Sequence, residues 1–142
     1  MVTASLSASL PAAMVQAIID HARADYPNEA CGVIVGDKPA VNGGTALRWV
    51  PTRNEAASPY RYRVHADDLL RLTIATDEAD QVFWAIVHSH VGSPAVPSST
   101  DLGAAQYPDA LYILVSLADD TPALRAWQII DGAMDEVELL VA

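Results

Sequence analysis

Apolar positions along the chain switch between two periods, and each switch marks an element. Met14, Ile18 and Ala22, with Val15 and Ile19 beside them, recur at helical spacing through PAAMVQAIIDHARADY. That spacing predicts an amphipathic helix over 11–26. Ser9 is placed to cap it with Pro11 in its first turn, and Pro27 and Asn28 stop it. EACGVIVG (29–36) is a short continuous apolar run, the pattern of a buried strand ending at Gly36. DKPAVNGG is turn chemistry, and TALRWVPTRN (45–54) is a second strand, placed to pair with the first as a hairpin. EAASPYRYRV reads as a loop with a short extended end. HADDLLRLTIATDEAD (65–80) predicts a second helix, buried through Leu69, Leu72, Ile74 and Ala75. QVFWAIVHSH (81–90) is the most apolar run and predicts a central strand.

After the loop VGSPAVP, SSTDLGAAQYP opens a short helix. Three strands follow, DALYILVSL, ALRAWQIID and AMDEVELLV, with a tight hairpin at Asp131–Gly132. Residues 1–8 are small and polar, the composition of a frayed end. The order of elements predicts one α/β domain over 1–142, a mixed β-sheet flanked by helices.

Composition narrows the functional classes. Of 142 residues, 51% are hydrophobic and 18% charged, which suits one globular core. No apolar run approaches the roughly 18 residues of a membrane span. The start of the chain has no Lys or Arg ahead of its apolar residues, unlike a secretory signal. The single cysteine, Cys31, excludes an internal disulfide and a four-cysteine metal site, and suits the cytoplasm. A net charge of −10 argues against nucleic acid and anionic membrane as partners. Against that acidity, Arg48, Arg53, Arg61 and Arg63 fall in one segment. They are either solvated charge at a sheet edge or a local basic surface for an acidic partner.

The chemistry concentrates in AIVHSHVGSPAVPSSTD (85–101). Residues i and i+2 of a strand share a face, so His88 and His90 present two imidazoles side by side while Ser89 points away. Such a pair is either a structural feature or two nitrogen ligands for a metal. After a Gly/Pro loop, Ser98 sits at a helix start and Asp101 in its first turn. Asp101 has a structural role available, beside the positive end of the helix dipole, and Ser98 one as N-cap. Two histidines and a carboxylate are also a catalytic zinc set that leaves a position open for water. A hydrolytic site needs a base as well. Glu29, just ahead of an apolar strand, is placed for that role or as an exposed acid at the strand's mouth.

His88-Ser89-His90, seven residues, Ser98, two residues, Asp101, with Glu29 upstream, resembles the signature of the JAMM (MPN-plus) zinc metallopeptidases. The resemblance extends over NEACGVIVG, TRNEAASPYRYRV and PDALYILVSL, and is of the short bacterial, CysO-cysteine peptidase branch. It implies a JAMM/MPN, cytidine-deaminase-like architecture. It implies that His88, His90 and Asp101 bind Zn2+, that Glu29 is the general base and that Ser98 stabilises the oxyanion. It implies as substrate a ubiquitin-like sulfur-carrier protein of CysO, ThiS or MoaD type, from whose C-terminus cysteine is released. Val91 stands where many members have proline. A non-catalytic scaffold that binds a ubiquitin-like partner, and a peptidase that trims a carrier precursor, are the competing readings.

Other residues have plainer expectations. Cys31 shares the face of Glu29 and suits a small core position. His21 and His65 suit solvated or capping roles. Trp49, Trp84 and Trp127 suit packing on strands. Asn54 and Glu55 belong to the shared motif and have no chemical step assigned.

Overall fold

The computed structural model of the chain describes residues 6–142. Strand β1 (Ser7–Leu10) leads into helix α1 (Ala12–Asp25), then β2 (Cys31–Gly36) and β3 (Ala46–Thr52). Helix α2 (Ala66–Glu78), β4 (Val82–His90) and the short α3 (Ser99–Ala104) follow. β5 (Leu111–Ser116), β6 (Ala123–Ile130) and β7 (Ala133–Val141) complete one seven-stranded sheet, in the order β1-β7-β6-β5-β4-β2-β3. β2 pairs antiparallel with both β3 and β4, and β4 pairs parallel with β5 across the crossover that carries α3. The sheet is therefore mixed, with β2, β4 and β5 at its interior.

Alternation along those strands builds a core on each face. Ile34, Trp84, Val87, Ile113 and Val115 pack under α1 with Ile18 and Ala22. Val33, Val35, Ile86, Leu114 and Trp127 form the other core with Leu72 of α2. Trp84 to His90 is buried without a break, as expected of a central strand covered on both sides. The β6–β7 hairpin turns through Asp131 and Gly132, both at positive φ, as the Asp-Gly pair predicts. No helix among the described residues is long and apolar enough to cross a membrane.

Three expectations are corrected. Residues 7 and 8, expected to be frayed, lie in β1, which pairs in parallel with β7 from Ser7↔Glu138 to Leu10↔Val141. Ala8 and Leu10 point into the core, and this alternation fixes the segment. Residues 1–5 of that expected frayed end lie outside the described residues. Ser9, expected as the cap of α1, is spent inside β1, and Pro11 takes the cap position without a side-chain bond. Ile74 and Ala75 of α2 are exposed; the buried positions are Leu72 and Thr76. Thr76 is tolerated there because its hydroxyl donates to the carbonyl of Leu72 at 2.9 Å.

Candidate metal centre

β4 ends in the histidine pair, and its partner strand sets what lies opposite. The antiparallel register places Cys31 across from His88. One step further, Ala30 and Ser89 exchange bonds: Ser89 N–H donates to the Ala30 carbonyl at 2.9 Å, and Ala30 N–H to Ser89 Oγ at 2.8 Å. That continuation brings Glu29 beside His90, on the histidine face. Glu29 is only 3% exposed, so it is a buried carboxyl group and not an acid at an open strand mouth.

The fourth residue arrives by helix capping. Ser98 Oγ accepts from Asp101 N–H at 3.1 Å, and Asp101 Oδ2 accepts from Ser98 N–H at 2.9 Å. This reciprocal capping box opens α3 and fixes the Asp101 carboxylate in its first turn. The carboxylate faces both rings: Oδ1 is 3.2 Å from His88 Nε2, and Oδ2 is 3.0 Å from His90 Nε2. The capping role of Asp101 thus leaves its carboxylate oxygens facing the two imidazoles.

The hydrogen bonds of His90 set the protonation pattern of the cluster. His90 Nδ1 is 2.8 Å from the Pro94 carbonyl, which only accepts, so Nδ1 carries the proton. In neutral His90, Nε2 then directs a bare lone pair at a carboxylate oxygen. A proton or a cation relieves that repulsion, and an imidazole that donates its other N–H to a carbonyl is how proteins orient metal ligands. Both His88 nitrogens and Glu29 Oε1 are buried without a hydrogen-bond partner. His88, His90 and Asp101 each offer a ligand atom, all within 4.8 Å of one another. Two imidazoles, one carboxylate and these orphaned atoms fit a bound metal ion.

Titration behaviour follows the same geometry. Burial pushes Glu29 up to about 7, with the His90 charge opposing and the Asp101 charge assisting. Burial likewise pushes His88 down, against its contact with Asp101. For His90 burial is outweighed by the contacts with Asp101 and the Pro94 carbonyl, and its pKa rises. Burial is outweighed at Asp101 too, where both imidazoles hold the carboxyl far below the usual range.

The walls of the centre come from residues whose roles the sequence did not reveal. Tyr62 stacks on His88, with ring centroids 4.2 Å apart and planes 20° from parallel. Asn54 binds the backbone of Glu29 and of the loop that carries Tyr62. The loop after His90 is pinned from β5 and β6, by Ser116 Oγ to the Ser93 carbonyl at 2.6 Å and Trp127 Nε1 to the Ala95 carbonyl at 3.0 Å. An open cavity of about 520 Å³ is lined by Tyr62, Val64, Leu69, Ile86 and Tyr107.

The remaining candidates fall beside the centre. Cys31 is buried against Thr52 Oγ1 at 3.3 Å, and burial raises its thiol to about 11. His21, expected to be solvated or capping, is instead half-buried, with Nε2 2.9 Å from the Cys31 carbonyl and its ring edge-on to Trp49. His65 caps α2 by accepting from Asp67 N–H. In the arginine segment, Arg53 pairs with Asp68 and Arg63 with Glu55.

Residues 11–130 match the family described as prokaryotic homologs of the JAB domain. The chain is 41% identical over 124 residues to the CysO-cysteine peptidase of Mycobacterium tuberculosis H37Rv, covering 87% of this chain and 83% of that one. It is 34% identical over 113 residues to the desampylase of Haloferax volcanii, covering 76% and 79%. Among solved structures, a protein of Desulfitobacterium hafniense superposes with a TM-score of 0.82 at 28% identity, over 94% of this chain and 92% of that one. A JAB1/MPN domain protein from Archaeoglobus fulgidus shares the fold, with a TM-score of 0.60 at 17% identity over 96% and 98%. The mixed sheet and the gathered His88, His90 and Asp101 accord with these matches, and the chain belongs to the prokaryotic JAB-domain family.

Proposed function

We propose that the chain is a zinc-dependent peptidase, a single catalytic domain acting in the cytoplasm. Its substrate is a ubiquitin-like sulfur-carrier protein, whose C-terminal amide to cysteine it hydrolyses. His88, His90 and Asp101 hold the zinc ion, and their buried, partly orphaned donor atoms support that assignment. A bound zinc ion supplies a Lewis acid and lowers the pKa of a water molecule toward neutrality.

The chain's own groups move the protons. Glu29 accepts a proton from the attacking water and returns it to the leaving amine nitrogen. Buried beside the histidine face with Oε1 unpartnered, it is placed for both transfers. Ser98 Oγ receives the Asp101 N–H, which leaves its own O–H to donate to the oxyanion. The single observation that carries the proposal is the Glu29 carboxyl group, buried beside the histidine–aspartate cluster with Oε1 unpartnered. A scaffold has no use for that arrangement, whose desolvation is unfavourable.

The substrate class rests on the two peptidase relatives and on the cavity at Tyr62, which an extended tail can enter. The test is mass spectrometry of a carrier–cysteine adduct incubated with zinc-loaded protein. Loss of one cysteine supports the proposal. An uncut adduct contradicts the substrate, and cleavage at another bond marks a precursor-trimming enzyme instead.

A further inference from the structure

We propose that Asn54 is a positioning residue, folding residues 55–64 into a strap that grips the Glu29 backbone and lays Tyr62 on His88. The inference rests on the role given above to Glu29 and deepens it. Glu29 lies just outside β2, where no strand ladder holds its backbone. Its N–H donates to the Ser58 carbonyl at 2.8 Å, and its carbonyl accepts from Asn54 Nδ2 at 2.9 Å. Its N–H is therefore fixed by the strap and its carbonyl by Asn54 at the strap's base.

Asn54 organises the strap with every bond its amide can make. Nδ2 also donates to the Arg61 carbonyl at 3.1 Å, while Oδ1 accepts from Ala56 N–H at 3.0 Å and Arg63 N–H at 2.9 Å. Two donors and two acceptors are used, a combination that aspartate cannot supply. The strap's neck is closed by Glu55 N–H to the Arg63 carbonyl at 2.7 Å and His65 N–H to the Arg53 carbonyl at 2.9 Å. Inside it Ala57 is held at φ 45°, a conformation that a non-glycine residue keeps only when its surroundings demand it. One turn of the strap presents Tyr62 to His88, and Glu55, Tyr62, Arg63 and Val64 wall the open cavity. One amide thus connects the base to the packing of a metal ligand and to the substrate's approach.

The experiment compares wild-type protein with Asn54→Asp, which keeps the two acceptors and sets a carboxylate against two carbonyls. Amide hydrogen exchange is measured residue by residue on the zinc-loaded proteins, alongside hydrolysis of the carrier–cysteine adduct. Expected is at least tenfold faster exchange at Glu29, Ala56 and Arg63, with Ala30 and the β4 amides unchanged. Expected also is a fall in kcat of at least 30-fold with KM within threefold and zinc still at one per chain. Wild-type kcat in the variant overturns the proposal. So does faster exchange across Ala30 and β4, the mark of a merely structural role. Should Asn54→Asp not fold, Asn54→Ser, which removes the reach to the Glu29 carbonyl without adding charge, is read by the same criteria. Failure of the function itself looks different: zinc-loaded wild type leaves the adduct intact, while the exchange pattern still tests the strap.

Discussion

His90 Nε2 stands 3.0 Å from Asp101 Oδ2, while the other nitrogen of His90 is committed to the Pro94 carbonyl. Lone pair and carboxylate are held face to face by the end of β4 and the capped start of α3. A cation between them is the natural resolution. Asp101→Ala should therefore weaken zinc binding by at least 100-fold and abolish one-to-one metal content, measured by titration calorimetry and elemental analysis. Retention of stoichiometric zinc would remove Asp101 from the ligand set.

Glu29 gives the metal-free protein a distinctive pH dependence. Its folded pKa of about 7 lies above the ordinary 4.5. Between those values the folded state keeps a proton that the unfolded chain has released. Stability from this group is thus full below about 4.5 and lost as pH rises through about 7. The loss is up to about 3 kcal/mol, from roughly 1.4 kcal/mol per pKa unit. Denaturant unfolding of the metal-free protein should show this decline, and Glu29→Gln should lack it. Parallel pH profiles in the two proteins would show that Glu29 ionises normally.

Ser98→Ala separates capping from chemistry. Removing the hydroxyl should cost about 1 kcal/mol of stability through α3. It should leave zinc bound, because Ser98 is not among the donor atoms, and lower kcat by about 100-fold. Thermal unfolding, metal analysis and steady-state kinetics on the same preparation check all three. A variant that loses stability but keeps full turnover confines Ser98 to the cap.

The sequence made this site partly legible because two of its rules are local. Strand alternation aligned His88 with His90, and capping chemistry placed Ser98 and Asp101. Alternation also put Glu29 and Cys31 on one face, but the antiparallel pairing of β2 with β4, which sets Cys31 across from His88, was not legible, because the sequence offered only β3 as a partner for β2. The rest depends on distant partners. Ser7–Leu10 has no strong strand propensity and becomes β1 only because β7, at the other end of the chain, offers an edge. Tyr62 sits in a loop without periodicity, and its burial is set by the ring it stacks on. Asn54 stands at the end of a predicted strand with no step assigned to it until its four hydrogen bonds are seen together. Ile74 and Ala75 look like core at helical spacing, yet the stripe that α2 buries is narrow and runs through Leu72 and Thr76.

Tyr62 should matter to the metal through packing. Tyr62→Ala opens space against His88 and should lower zinc affinity at least tenfold, with a stability loss of about 1–3 kcal/mol. Tyr62→Phe keeps the stacked ring and should bind zinc like the wild type. Equal affinity in both variants would show that the stacking does not support His88.

The central claim is that a buried Glu29 beside a zinc-binding His88–His90–Asp101 cluster makes this chain a hydrolase. Its most direct test is the rate at which zinc-loaded wild type and zinc-loaded Glu29→Gln release cysteine from a carrier–cysteine adduct, followed by mass spectrometry. The expected result is one zinc per chain in both proteins, cleavage by the wild type, and a rate at least 100-fold lower in the variant. An intact adduct with the zinc-loaded wild type, or equal rates in the two proteins, would contradict it.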